Sequence, residues 1–562
     1  SVLAAVVGLS AGFSLVLSLA GCMTVSKAER QSARVWTNRV SEVCGRLGVS
    51  TNLLTFVEPG DRLRLRMAIC AVDEGMDEVA RQLLSWRVST NVLVATNGLL
   101  KLSLSDALRL AARNDRTYQS HKQSIYNAAL ALDTRGHDFE TTFSGFLLGA
   151  FAGDPDARSL SGEAGAGVSR KLSNGSILSA NLALNVAQLL KGDVTSSSLL
   201  GDVSVSIPLL RGAGKTVVLE PLIQAERNLQ YAIRRFAYYR TTYAVQVASA
   251  YFNVLSCKQR IWNAESTERS NKTNKDRADR MFEANRMSIV EYGQAGQAYL
   301  NAVQTTLSAR QAYDEAVDGF AVLLGLPPGS RIVLDDGELT RMQGVMAQRG
   351  AGSEESVLLN YPSPEDALAS ALTNRLDLMV VRDQIDDARR ALAVAADNLL
   401  PDLTLVGRAS AERSKDSRSS STIYRSDGWE GAVKSSLPWD RVAERNAYRS
   451  AMLALEAAER EYEQAVDSIS QTVRSDLRDI ITSYRSYLIQ QKAVEVAEKR
   501  RESMYMLQKA DRTEMRYVID AEDDLLSARN SLLNAIVNWH LKELALLRDM
   551  GALPLSADGL IR

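Results

Sequence analysis

Cys22 is the residue with the clearest chemistry ahead of it. It closes Leu19-Ala20-Gly21-Cys22 after an apolar run over residues 2–20. That tetrad has the form of a lipobox, in which a thioether lipid is added to the cysteine and residues 1–21 are cleaved as a signal peptide. The resulting lipoprotein would carry acyl chains such as palmitate; an ordinary signal peptide or one membrane-spanning helix are the alternatives. The run has neither an initiating Met nor a basic leader, so its start reads as trimmed. One acyl anchor holds a bilayer weakly, and a second membrane element is expected. Cys44 and Cys70 follow in the same exported stretch, and their spacing leaves pairing open. Cys257 reads as a buried small hydrophobe. Gly212-Ala213-Gly214-Lys215-Thr216 imitates a phosphate-binding loop, but Leu209 stands where the full pattern needs Gly. His121, His137 and His540 are far apart, and no Cys/His spacing suggests a metal. No nucleophile–base grouping stands out, so the sequence supports no enzyme, cofactor or metal site.

The elements around these residues are stated twice. At a constant offset of 226, Ala284 matches Ala510, Arg286 matches Arg512, Leu300 matches Leu526, Gly325 matches Gly551 and Pro328 matches Pro554. Further upstream the offset is 260, pairing Asp106-Ala107-Leu108 with Asp366-Ala367-Leu368 and Asn114 with Asn374. Repetition at this scale means two copies of one structural unit. A formal charge of −1 gives no field to recruit nucleic acid, and aromatics at 6% suit long helices with narrow seams.

Each copy opens with a helix, capped by Ser103 or Ser105 in the first, and then changes period from 3.6 to 2. Phe143, Gly145, Leu147 and Phe151 share one strand face, as do Leu178, Leu182, Leu184 and Val186. Strands near ten residues long with one apolar face fit a transmembrane β-barrel; half-buried strands of a soluble sandwich alternate in the same way. Asn174-Gly175 marks a hairpin. A two-residue turn there would set Val168 against Asn181, so a three-residue loop or a bulge is predicted. Between Pro438 and Gly551 neither residue occurs for 112 positions. Tyr462, Val466, Ile469, Val473, Leu477, Ile480, Tyr484 and Tyr487 form a narrow coiled-coil-like seam there. A helical hairpin folding near 505–512, with arms of about 80 Å, is predicted, and its counterpart near 279–286. Residues 329–361 read as an irregular connector, and the first strand region is longer by about one hairpin.

The order helix, strands, Pro208-Leu209-Leu210-Arg211-Gly212-Ala213-Gly214, long hairpin, Leu324-Gly325-Leu326-Pro327 resembles the TolC-like outer membrane efflux proteins. The duplicated halves, the lipobox and the Leu400-Pro401 turn before a strand are similar too, over roughly residues 100–556. The resemblance implies a mainly α fold with a transmembrane β-barrel. It implies a homotrimer sharing that barrel in the outer membrane, with four helical arms per chain in a hollow α-barrel across the periplasm. It implies a passive conduit, supplied by a periplasmic adaptor protein and an inner-membrane pump.

In such proteins acidic residues just after the fold of each hairpin line a periplasmic gate. By position these are Asp520 in the second copy and Glu291 in the first, with Tyr517 where another acid is expected. Arg286, Arg512 and Arg516 lie close in sequence and would clamp the tips by ion pairs; ordinary solvated charges are the plain alternative. The domain reading is a signal peptide (1–21), a lipid-anchored extension (22–100), a first repeat (101–328), a connector (329–361) and a second repeat (362–556). A lipid-anchored periplasmic adaptor, or a structural coiled-coil lipoprotein, are the competing functions. The first would carry one hairpin rather than two, and the second leaves the alternating strands unexplained.

Overall fold

The computed structural model describes residues 100–153, 158–189, 194–350, 361–416, 423–437, 439–510 and 512–554, with six positions between 31 and 43. Cys22, Cys44 and Cys70, and with them the lipobox and the disulfide question, lie outside the described residues. The first repeat runs β1 (Leu100–Leu102), α1 (Leu104–Asn114), α2 (Arg116–His137), β2 (Thr141–Gly153), β3 (Arg158–Lys171), β4 (Ile177–Leu189), β5 (Val194–Pro208), α3 (Lys215–Val218), α4 (Glu220–Glu283) and α5 (Ile289–Leu323). The link holds β6 (Ile332–Leu334) and α6 (Asp336–Gly350). The second repeat runs α7 (Pro364–Asn374), α8 (Leu376–Asp397), β7 (Asp402–Asp416), β8 (Ile423–Ser436), α9 (Val442–Lys509) and α10 (Met515–Asp549). The chain divides into two compact units, one built on the strands and one on the helical hairpins.

In the strand unit, six strands form one antiparallel sheet in the order β2-β3-β4-β5-β7-β8. The repeat offsets identify the addition. The offset of 260 before the strands becomes 226 after them, so β2 matches β7 and β5 matches β8. The inserted hairpin is therefore β3–β4, and it is fully paired on both sides. Its turn behaves as expected: Leu172 N–H donates to Ser176 O (2.8 Å) and Gly175 N–H to Leu172 O (3.0 Å), closing a three-residue loop. Gly175 takes φ 92° there, and Val168 faces Ala180 rather than Asn181. The strands are 13–15 residues long, longer than the periodicity alone marked.

Helical segments of this unit are tied by charge. Arg390 of α8 binds Glu220 (2.9 Å) and its own neighbour Asp387 (2.7 Å), while Arg227 pairs with Asp383 at 3.4 Å. Tyr231 donates to Asp387 at 2.7 Å. The glycine-rich loop is occupied by the protein itself: Gly212 N–H donates to the Asp397 carboxylate (2.7 Å), and the helix that follows is four residues long. That arrangement presents no phosphate cradle.

In the helical unit both repeats use the same joints. Ser103 and Ser363 cap α1 and α7, accepting from Asp106 N–H (3.2 Å) and Asp366 N–H (3.1 Å). Gly325 and Gly551 then sit at φ 71° and 65° against Asn114 and Asn374. The seam on α9 buries Ile469, Val473, Ile480, Tyr484 and Tyr487, and leaves Leu477 half-buried beside a buried Asp476. Tyr484 and Tyr487 pack on Trp539, which is fully buried and donates to the Tyr361 hydroxyl at 3.2 Å. Helix α4 is broader in its contacts, burying Tyr243, Ala244, Val245, Val247, Ala248, Tyr251 and Phe252. No helix among the described residues is long and apolar enough to cross a membrane.

Two expectations need correction. The arms are unequal: α9 has 68 residues and α10 has 35, about 100 and 50 Å at the helical rise, because the turn lies well past the midpoint of the Gly/Pro-free run. The segment read as an irregular connector holds β6, parallel to β1, and the helix α6. Buried Leu339, Met342 and Met346 give α6 an apolar stripe whose packing outweighs the weak propensity of Gly344.

Candidate functional site

Both hairpin turns close with the same backbone hydrogen bond. Arg286 N–H donates to Met281 O (2.7 Å) and Arg512 N–H to Leu507 O (2.9 Å), equivalent bonds at the repeat offset. Asn285 supplies the left-handed residue of the first turn, at φ 55°. The two turns meet around Ala278, Ala295 and Met515, with Met287, Tyr292 and Ile519 against them. Phe282 stacks on Tyr292 with ring centroids 4.7 Å apart. Arg277 donates to both the side-chain and backbone oxygens of Gln508, at 3.3 and 3.2 Å, joining the first copy's descending helix to the end of α9.

The sequence-selected residues sit on this joint, but not as one cluster. Glu291 is committed to a capping box: its carboxylate accepts from Ser288 N–H (3.2 Å) and Oγ–H (3.0 Å), while Ser288 Oγ accepts from Glu291 N–H (3.2 Å). Asp520 pairs with Arg516 one turn back on the same helix, at 3.9 Å with both side chains largely exposed. Arg286 and Arg512 are exposed, and among the described residues neither reaches Glu291 or Asp520. Tyr517 is 48% exposed, and Ile289 and Val290 on the first copy are more exposed still.

Asp520 opens a larger acidic group than the sequence expectation included. Asp520, Glu522, Asp523 and Asp524 crowd the first turns of α10. Asp523 is raised above the ordinary carboxylate range, first by partial desolvation and then by Asp520, Asp524 and Glu522. Glu522 is buried, whereas Asp524 is answered by Arg500 of α9. Arg529–Glu498 (2.9 Å) adds a second tie between the arms. Four acids in five residues were visible in Asp520-Ala521-Glu522-Asp523-Asp524; the first copy carries Gln294 and Gly296 at the corresponding places.

The sheet forms a second surface. One face carries Phe143, Leu182, Leu184, Val203, Trp429 and Val433, all at least 45% exposed. The opposite face carries Ser144, Asn181, Asp202, Arg408 and Ser410, with Asn181 donating to Asp202 (3.4 Å) and Asp202 near Arg408 (3.7 Å). A side chain at Gly165 or Gly167 on the polar face would strike Phe146, Ser144 or Asn181, whereas Gly149, Gly162, Gly407 and Gly431 on the apolar face look into open space. The polar face is thus the crowded one and the apolar face the open one.

The profile of the outer membrane efflux protein family matches residues 367–552, from α7 to the end of α10. Outer membrane protein TolC of Escherichia coli (strain K12) is 24% identical over 322 residues, covering 56% of this chain and 62% of TolC. The chain is thus similar to that family over its second repeat, and it spans less than two thirds of the length of TolC. The fold agrees beyond the matched sequence. The outer-membrane channel OprN superposes with TM-score 0.57 at 14% identity, covering 80% of this chain and 90% of OprN. VceC of Vibrio cholerae gives 0.57 at 11%, covering 80% and 96%. Among the described residues no group of side chains is arranged to hold a metal ion.

Proposed function

We propose that this protein is the outer membrane channel component of a tripartite export system, acting as a homotrimer through which cargo passes unchanged. The protein belongs in the outer membrane. The observation that carries the reading is the sheet: it has one polar and one exposed apolar face, and its end strands β2 and β8 have no partner strand among the described residues. An open edge inside hydrocarbon leaves backbone groups unsatisfied, and closure with further copies removes it. Exposed Leu300, Leu307 and Val322 on α5, and Leu453, Ile489 and Val496 on α9, supply apolar surface for neighbouring copies. Cys22 would add an acyl anchor. A periplasmic adaptor protein and an inner-membrane pump would deliver cargo to the hairpin tips.

The tip is the gate in this reading, with Asp520, Glu291 and exposed Tyr517 facing the passage. Ties between the arms such as Arg500–Asp524 and Arg529–Glu498 are partly exposed and individually weak, below about 1 kcal/mol, so a docking partner suffices to release them. The test is single-channel recording of the full-length protein in planar bilayers. Asp520→Asn combined with Glu291→Gln is expected to raise the open probability or lower cation selectivity. Unchanged currents would remove both residues from the gate, and a wild-type protein that never conducts would remove the channel.

A further inference from the structure

The open, apolar face of the sheet is interrupted at one place. Along one level of the sheet the paired residues are Leu147, Ala164, Leu184, Leu199, Arg413 and Arg425. Four are apolar; the last two are arginines directly opposite each other on β7 and β8. Like charges in that position repel unless an anion lies between them. Asp427 does part of this, meeting Arg413 Nη1 at 2.6 Å and also contacting Arg425. Lys415 stands two residues on from Arg413, on the same face and exposed. Three cations against one carboxylate leave the patch with net charge +2. It lies toward the strand ends away from the helices, since β2 leaves α2 at Thr141 and β8 enters α9 after Ser436. Arg425 remains 69% exposed and Arg413 38%, so both guanidinium groups keep donors to offer. Trp429, 87% exposed on the same face, lies four residues nearer the helices, level with Val203 and Phe143.

We propose that Arg413, Lys415 and Arg425 form a binding site for the phosphate of an anionic lipid headgroup in the leaflet surrounding the distal end of the sheet. A phosphate accepts from planar guanidinium groups as the Asp427 carboxylate does. Leu182 and Val203, nearer the helices on the same face, would hold its acyl chains, so that headgroup and chains are read together. This rests on the apolar face meeting lipid, as the channel reading requires. The full-length protein in detergent would be incubated with a bis-phosphorylated acylated glucosamine disaccharide, and lipid retained through gel filtration quantified by mass spectrometry. The wild type should retain it at least tenfold better than the triple variant Arg413→Ala, Lys415→Ala, Arg425→Ala. The dephosphorylated lipid should be lost. Asp427→Asn, which keeps all three cations, should retain more. Equal retention by the triple variant, or of the dephosphorylated lipid, overturns the site. Equal displacement by inorganic pyrophosphate overturns the lipid as its source. Wild-type conductance, measured alongside, separates failure of this site from failure of the channel.

Discussion

At the residue scale, many of the charged residues serve as ties. Asp476 is the exception, buried in the α9 seam against the buried Asp549, whose own carboxylate is held by Arg548 at 2.6 and 3.0 Å. Desolvation, then Asp549, pushes Asp476 up to about 7 from an ordinary 3.8. The folded chain therefore keeps a proton in this window that the unfolded chain has released, and stability falls as pH rises between those values. Asp476→Asn should flatten the pH dependence of the thermal midpoint from about pH 4 to about pH 7, as followed by circular dichroism. An unaltered slope would mean that another group is responsible. Glu291 carries a separate lesson. Its residue type and position suit an anionic ring, yet its carboxylate closes the cap on Ser288, a role that Gln also fills.

Among elements, each repeat is locked by the glycine after its ascending helix. A Cβ on Gly325 would lie 2.5 Å from the Asn114 carbonyl oxygen, against 3.0 Å for the nearest Asn374 atom from Gly551. Both glycines have positive φ, so alanine costs on the order of 1–3 kcal/mol at either site, with the clash added at the first. Gly325→Ala should therefore lower the thermal midpoint more than Gly551→Ala; equal shifts would show that the first joint can yield. These elements differ in how far the sequence exposed them. The strand alternation, the Asn174-Gly175 register and the α9 seam were legible because each rests on period or turn chemistry within a few residues. The helix α6 was hidden by its glycines, since its stripe becomes stable only on packing. The turns near 505–512 and 279–286 were legible too, and the unequal arms follow from where the second turn falls in the Gly/Pro-free run. The acids beyond Asp520 were in plain sight, but their crowding depends on α9 lying alongside.

For the whole molecule, the inserted β3–β4 hairpin matters most. Three copies of a six-stranded sheet would supply eighteen strands, where two strands per repeat would give twelve. At ordinary spacing and tilt that is a barrel about 36 Å across between opposite backbones rather than about 24 Å. Cysteines in a background with Cys44, Cys70 and Cys257 replaced by Ser report whether the hairpin is wall. Leu182→Cys should be quenched by bilayer-confined nitroxide and Asn181→Cys labelled by a water-soluble maleimide, as Trp429→Cys and Ser410→Cys are in β8 and β7. Water labelling of both hairpin positions, with the β7 and β8 controls intact, would make the insertion a flap. The pairing of the insertion has a consequence for how such a molecule changes over generations. A unit that goes out and returns restores the direction of the chain, so the flanking helices need not notice it. If the hairpin is wall, one half of the duplication would enlarge the bore while the other stays as it was, and the opening would grow only in even steps.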